Sequence, residues 1–410
     1  MDHKTIKGIR ELIAHIEKCH GNKSLFSLES SSRVNPILEN LYKQIHSNSK
    51  KIMFHNFDPP LIKEIDTYHK LTNYGGIDDS FIGKDIRDYI KDQSAYEIIY
   101  EHTLSTGETV TVFFIIPEFV ESTELINKFI LIILTWFEFI YPYATKKCGK
   151  KLDVFIYLTP FKKILPENGE TIGKDNVNTA YTTSCAPHGK IVIYRSEEWF
   201  KVLIHETFHV LGLDFSHHPN DSITKELKKI FPVNSDIKLF EGYTEAWAEI
   251  LNCLFVSYYR TKSKKEFLSR FERCMTIERD FSVYQMLKVL NYMNLRYSDL
   301  YSSNPKAQMR RLHFYKEESN VFAYYIITAL LLFNVDKFLM WCYENNGNLI
   351  RYSYSYANNA SFIDLISRTY RSDSFKSFIA CVNANEIWGN RNYRELQKTM
   401  RMSIIDLIEN

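Results

Sequence analysis

Glycine and proline are scarce in this chain, at 14 and 11 of 410 residues, where average usage would give about 29 and 20. No low-complexity tract and no internal repeat is visible, which excludes linker-like and solenoid organisations. An excess of charge of one sign is also missing. The 51 Lys and Arg against 49 Asp and Glu leave a net charge of +2 with no long basic block, so neither nucleic acid nor an anionic membrane is an expected partner. Long apolar runs are absent as well. Residues 129–137 and 321–333 are the most hydrophobic, but they are bounded by Lys128, Glu138, Glu318 and Asp336 and are too short to span a bilayer, so they read as core helices. The opening Met1-Asp2-His3-Lys4 starts an amphipathic helix and lacks the apolar core of a signal peptide. The seven cysteines have no C-x-x-C spacing. A reduced, intracellular protein, neither secreted nor membrane-spanning, is the expectation, with Cys185 a free thiol.

What is present is more specific. His205-Glu206-Thr207-Phe208-His209 is an H-E-x-x-H run. On a helix, residues four apart share a face, so both imidazoles can point at one metal ion. Glu206, offset by one position, is then placed to hold a water and take its proton, the arrangement of zinc-dependent peptidases. The flanks agree with a helix. Residues 190–195 are a β-branched run that reads as a buried strand. Ser196 stands where an N-cap is expected, with Glu197 and Glu198 in the first turn. Trp199, Val202, Leu203, Phe208, Val210 and Leu211 recur at helical spacing, and Gly212 is a plausible stop.

A zinc site of this kind needs a third protein ligand. The pattern H-E-x-x-H-x-x-G-x-x-H begins well, because Gly212 falls in place, but Phe215 occupies the third histidine's position. Asp214 is one residue early and His217 two residues late. Downstream, Glu241, Glu245 and Glu249 recur every fourth residue and line one helical face, beside an apolar stripe of Phe240, Tyr243, Trp247, Ile250 and Leu254. A solvated acidic edge would show the same spacing.

Glu241-Gly242-Tyr243-Thr244-Glu245 resembles the E-G-F-x-E segment of gluzincins such as the aminopeptidase N group. That resemblance implies Glu241 as third zinc ligand and Glu245 or Glu249 as acceptor of a hydrogen bond from a ligand histidine, with Glu245 as the alternative ligand. The G-x-M-E-N substrate segment of those aminopeptidases is absent, so their specificity does not carry over. Ile193-Tyr194-Arg195, the H-E-x-x-H run, Gly212-Leu213-Asp214-Phe215-Ser216 and residues 320–325 also look like uncharacterised zincin-like proteins of large eukaryotic DNA viruses, over about a quarter of the chain. The plentiful Tyr (27) and Phe (28), with many Lys, Asn and Ile, fit an AT-rich coding sequence and agree with such a source.

The expected fold class is α+β. Residues 1–92 read as a mainly helical N-terminal region, with amphipathic pieces at 4–19, 35–46 and 79–91. Residues 93–219 read as a zincin upper lobe. In it, strands 96–104 and 109–116 form a hairpin across Ser105-Thr106-Gly107-Glu108, an apolar helix runs to about Tyr143, and strands lie at 152–158, 178–183 and 190–195. Residues 220–410 read as a helical lower lobe carrying Glu241. The expected function is a Zn2+-dependent peptidase acting on a peptide or protein, with Glu206 as general base. His313, Tyr315, Tyr324 and Tyr325 are candidate donors to the oxyanion. The alternative is a virion-associated or structural protein that keeps the fold without activity, with a virion or host-protein partner met through the N-terminal region.

Overall fold

The structure is a computed structural model that describes residues 3–20, 25–26, 28–54, 59–65, 80–119, 122–167, 169–384 and 388–407. The opening Met1-Asp2 and position 79 of the third amphipathic piece lie outside the described residues. The chain forms two compact units: one of Ile37–Lys162 and Asn178–His217, the other of Met1–Pro36, Lys163–Val177 and His218–Asn410. The units are interleaved in sequence, whereas the regions 1–92, 93–219 and 220–410 were expected as consecutive blocks.

The first unit is built on one mixed sheet of six strands. They are β1 (Leu61–Glu64), β2 (Tyr96–Thr103), β3 (Thr109–Ile116), β4 (Lys151–Thr159), β5 (Ala180–Thr182) and β6 (His188–Arg195), in the spatial order β1-β2-β3-β4-β6-β5. The β2–β3 hairpin turns at Gly107, whose φ of +95° a side chain would rarely adopt. β3, β4 and β6 run parallel, and β5 closes the edge antiparallel to β6. β1 was not anticipated. Its four residues, Leu-Ile-Lys-Glu, are all exposed, so no alternation betrays a strand.

Helix Glu124–Ile140 is the crossover between β3 and β4, as parallel pairing requires. The opposite face of the sheet is a second core, where Ile86 and Ile90 of helix Lys84–Gln93 lie with Ile115, Tyr157, Val192 and Tyr194. β6 is therefore buried on both sides, and its run Ile191-Val192-Ile193-Tyr194 is continuously apolar rather than alternating.

The second unit is helical. Helices Leu239–Tyr259 and Lys264–Tyr292 lie at its centre and are buried over most of their length. The final segment is held by buried polar groups. Glu278 accepts hydrogen bonds from the hydroxyl of Ser403 and the backbone N–H groups of Ile404 and Ile405, and Asn252 donates to the carbonyl of Ile405 at 2.7 Å.

Among the described residues one helical stretch, Glu124–Tyr143, is long and apolar enough to cross a membrane, as is a pair bent by 91°, Phe322–Phe333 with Val335–Asn345. Residues 129–137 are the core of the first, and most of its side chains from Ile130 onward are buried in the unit. The thiols differ from expectation. Cys148 is joined to Cys185, so Cys185 is not free, and Cys19 to Cys381; Cys253, Cys274 and Cys342 remain as buried thiols. The first pairing follows from the sheet. Lys151 of β4 stands opposite His188 of β6, so the residues three before each, Cys148 and Cys185, arrive side by side.

Glu138 ties the hairpin to the crossover helix. It accepts from the N–H of Ser105 at 3.0 Å and its hydroxyl at 2.5 Å, and from Lys51 at 3.1 Å. Burial alone would raise its pKa, but the hydrogen bonds from His102, Ser105 and Lys51 outweigh burial and hold it at about 2, below the ordinary 4.5. A carboxyl depressed on folding stabilises the native state above its unfolded pKa, and that contribution is lost as pH falls through the folded value. Glu138→Gln is therefore expected to cost about 2–3 kcal/mol at neutral pH, with the deficit shrinking between about pH 4.5 and 2. Urea unfolding of both proteins across that range measures it.

Candidate metal centre

The two histidines belong to helix Trp199–Val210, which follows β6 directly. Its start differs from expectation. Ser196 is not the N-cap, because its N–H still bonds the carbonyl of Thr159 in the sheet. The helix begins after Glu198, which is left-handed (φ +56°) and makes no side-chain cap bond. Glu198 is instead buried with Lys201, 3.8 Å away. Thr207, on the helix face toward the crossover helix, accepts from the indole of Trp136 at 3.1 Å.

The end of the helix is a Schellman turn. Leu213 N–H donates to the carbonyl of Phe208 at 2.9 Å and Gly212 N–H to that of His209 at 3.2 Å. Gly212 takes φ +61°, the conformation that makes glycine the natural stop. The turn carries Asp214 back over the helix. Its carboxylate meets Nδ1 of His209 and accepts from the N–H and hydroxyl of Ser216 at 3.2 and 2.9 Å. A carboxylate on Nδ1 keeps the proton there and makes Nε2 the acceptor nitrogen of the ring. The Nε2 atoms of His205 and His209 stand 3.1 Å apart, with the rings at 74° to each other. His205 and Glu206 are buried and His209 nearly so. Asp214, weighed above as a ligand, thus orients a histidine. His217 is exposed.

Glu241, Glu245 and Glu249 lie on helix Leu239–Tyr259 of the helical unit, and all three are buried. A solvated acidic edge is therefore excluded. Gly242 explains how Glu241 is held. A Cβ there would stand 2.5 Å from Cγ2 of Ile327, so only glycine lets the π-helical turn Phe322–Ile327 approach so closely. That approach brings Asn320 and Tyr324 onto the carboxylate. The Asn320 amide donates to Oε1 at 2.9 Å and the Tyr324 hydroxyl to Oε2 at 3.3 Å.

The other three candidate donors are placed differently. Tyr325 gives its hydroxyl to the carbonyl of Met400 at 2.7 Å. Tyr315 is a core residue packed edge-on against Phe322, its hydroxyl pKa pushed well up by burial and then by Glu317. His313 is exposed on helix Pro305–Phe314. Asn320 has no role among the residues singled out above. A polar residue just before the aromatic run at 322–325 was the signal at hand.

Comparison with known proteins adds one distant likeness. An uncharacterised protein of Acanthamoeba polyphaga mimivirus is 25% identical over 226 residues, which are 53% of this chain and 51% of that protein. The chain thus spans about half the length of the relative it matches. No protein-family model and no solved structure matches the chain.

Asp214→Asn is expected to release the tautomer of His209. In ring 15N NMR spectra the fixed Nδ1–H form of the wild type gives way to a mixture. A variant with unchanged ring shifts would refute the orienting role.

Proposed function

We propose that this chain is a zinc-dependent peptidase of gluzincin type, with His205, His209 and Glu241 as metal ligands and Glu206 as general base. One observation carries the reading: two imidazole Nε2 atoms converge to 3.1 Å on a helix that also bears Glu206, with Nδ1 of one ring engaged by Asp214. Two nitrogens bound at about 2.05 Å to a tetrahedral ion would lie about 3.3 Å apart, so the spacing fits zinc. Two neutral acceptors at that distance repel unless a proton or cation lies between them. A histidine pair on an ordinary helix face has no need to converge, nor of a carboxylate behind one ring.

Glu241 is the proposed third ligand. Within its own unit it is buried, and its oxygens accept from Asn320 and Tyr324, which fix the direction of the carboxylate. The zincin fold is likewise a proposal, supported by the order of hairpin, crossover helix, parallel strands, edge strand and histidine helix. The edge strand β5 would then offer its backbone to an extended peptide.

Zinc, when bound, supplies a Lewis acid that polarises the scissile carbonyl and brings the pKa of a water near 7. Glu206 takes the proton of the attacking water and delivers it to the departing amine nitrogen. Tyr324, whose hydroxyl donates to Glu241 at 3.3 Å, is the proposed donor to the developing oxyanion, its one proton turning from the carboxylate to the oxyanion as charge develops there. A closed structural zinc site would fill its fourth position with Cys or His and would have no use for Glu206.

The test is zinc content and cleavage of a denatured-protein pool. Wild type is expected to carry about one zinc per chain and to cleave. His205→Ala loses both. Glu206→Gln keeps zinc and fold but loses roughly 10²–10⁴-fold in turnover. Glu241→Gln weakens zinc strongly. Zinc retained in full by His205→Ala would end the proposed site, and cleavage indifferent to Glu206 would end the mechanism.

A further inference from the structure

The disulfide between Cys148 and Cys185 lies against the turn that ends the histidine helix. Had Gly212 a Cβ, it would stand 3.1 Å from Sγ of Cys148 and 3.3 Å from Sγ of Cys185, so the two sulfurs form the floor of the turn. Both partner loops also grip the helix end by hydrogen bonds. The N–H of Cys185 donates to the carbonyl of His209 at 3.1 Å, and the N–H of Thr145 to that of Leu211 at 3.0 Å. The hydroxyl of Thr145 donates to the carbonyl of Gly212 at 2.9 Å. Next to Cys185, the hydroxyl of Ser184 lies 3.4 Å from that of Ser216, which itself donates to Asp214. Cys185 is held left-handed at φ +36°, a conformation a β-carbon disfavours and that persists only where the surroundings impose it.

We propose that the Cys148–Cys185 disulfide is a positioning device for His209, which makes metal affinity at the histidine pair depend on the redox state of these two cysteines. The proposal rests on the zinc reading above. Opening the disulfide frees Cys185 to leave its left-handed conformation. Its N–H then leaves the carbonyl of His209, and the route through Ser184, Ser216 and Asp214 to the His209 ring loosens with it. With a water-soluble phosphine as reductant, two electrons pass from phosphorus to the S–S bond, which breaks. Water supplies the oxygen of the phosphine oxide and the two protons of the new thiols.

The experiment compares three forms of the full chain: untreated wild type, phosphine-treated wild type, and Cys148→Ser/Cys185→Ser. Zinc affinity is read by competition with a chromophoric chelator, and amide hydrogen exchange is read over residues 207–216. Cys381→Ser, which opens the other disulfide, is the control. The expected result is a roughly 10–100-fold loss of zinc affinity and faster exchange over that segment in the treated and double-variant forms, with Cys381→Ser like wild type. The phosphine-treated wild type keeps the test valid if the double variant fails to fold. Equal affinity in oxidised and reduced forms, with zinc bound in both, overturns the positioning role and leaves the zinc reading standing. Zinc bound by none of the forms overturns both. A loss matched by Cys381→Ser also overturns the proposal, since it marks a general effect of disulfide loss.

Discussion

The parallel register of β4 against β6, with Lys151 opposite His188, is the constraint from which the geometry around the two histidines follows. Because the strands start level, the loops that precede them run side by side. Cys148 meets Cys185 there, and both loops reach the end of the histidine helix. The same register places Gly189 beneath that helix, where a Cβ would stand 2.3 Å from Cγ2 of Val210. Gly149, left-handed, makes a similar close approach to Leu211. A chain with few glycines has spent three of them, Gly149, Gly189 and Gly212, within one region where the backbone comes close to sulfur or to a buried side chain. A slip of β6 by one residue would exchange Ile191 and Ile193 with Val192 and Tyr194 between two cores of different shape, so the register is strongly specified.

The helical unit solves an analogous problem by a different route. Glu241 must be both buried and pointed, and burial of a carboxylate is tolerated only when its oxygens are engaged. Gly242 opens the space, the π-helical turn fills it, and Asn320 and Tyr324 occupy the oxygens. The turn matters because an extra residue in a helical turn shifts the phase of the side chains that follow. Asn320 and Tyr324, four residues apart and joined by an i→i−4 backbone bond, share a face and reach one carboxylate, while Tyr325 points to Met400 instead.

The elements were legible where periodicity is strong. The β2–β3 hairpin, the crossover helix, β4, β6 and the two helices bearing His205 and Glu241 all lie within a few residues of the expected ranges. What escaped was set by long-range contact. Ser196 has the composition of an N-cap, yet the sheet still claims its N–H, so the helix starts later. β1 is too short and too exposed to alternate. Cys185 reads as a free thiol because nothing in the spacing of 148 and 185 reveals that β4 and β6 are neighbours in register. Asp214 lies one residue from a ligand position in a known pattern, and only the Schellman turn at Gly212 shows that it returns onto His209. For Glu245 and Glu249, spacing placed them on one face but could not separate a wet edge from a dry one; burial does.

In each unit, the side chains proposed as metal ligands are oriented by neighbours from that same unit. His209 depends on Asp214, and Asp214 on Ser216. Glu241 depends on Asn320 and Tyr324. The entropy of fixing those rotamers is therefore lost during folding and not at the moment of binding, which is what preorganisation means in free-energy terms. For the proposed metal site it follows that the supporting residues govern affinity without touching an ion, and that they do so unequally. Asp214 acts through a contact to a ring nitrogen and sets which nitrogen carries the proton. Asn320 and Tyr324 make neutral-donor bonds to a carboxylate that needs no tautomer fixed, only a direction. Loss of the first changes which nitrogen of His209 is the acceptor; loss of either of the others changes only the aim of the Glu241 carboxylate. The sheet unit is on this argument the more sensitive half, and the part of the fold that grips the end of the histidine helix is where that sensitivity is concentrated.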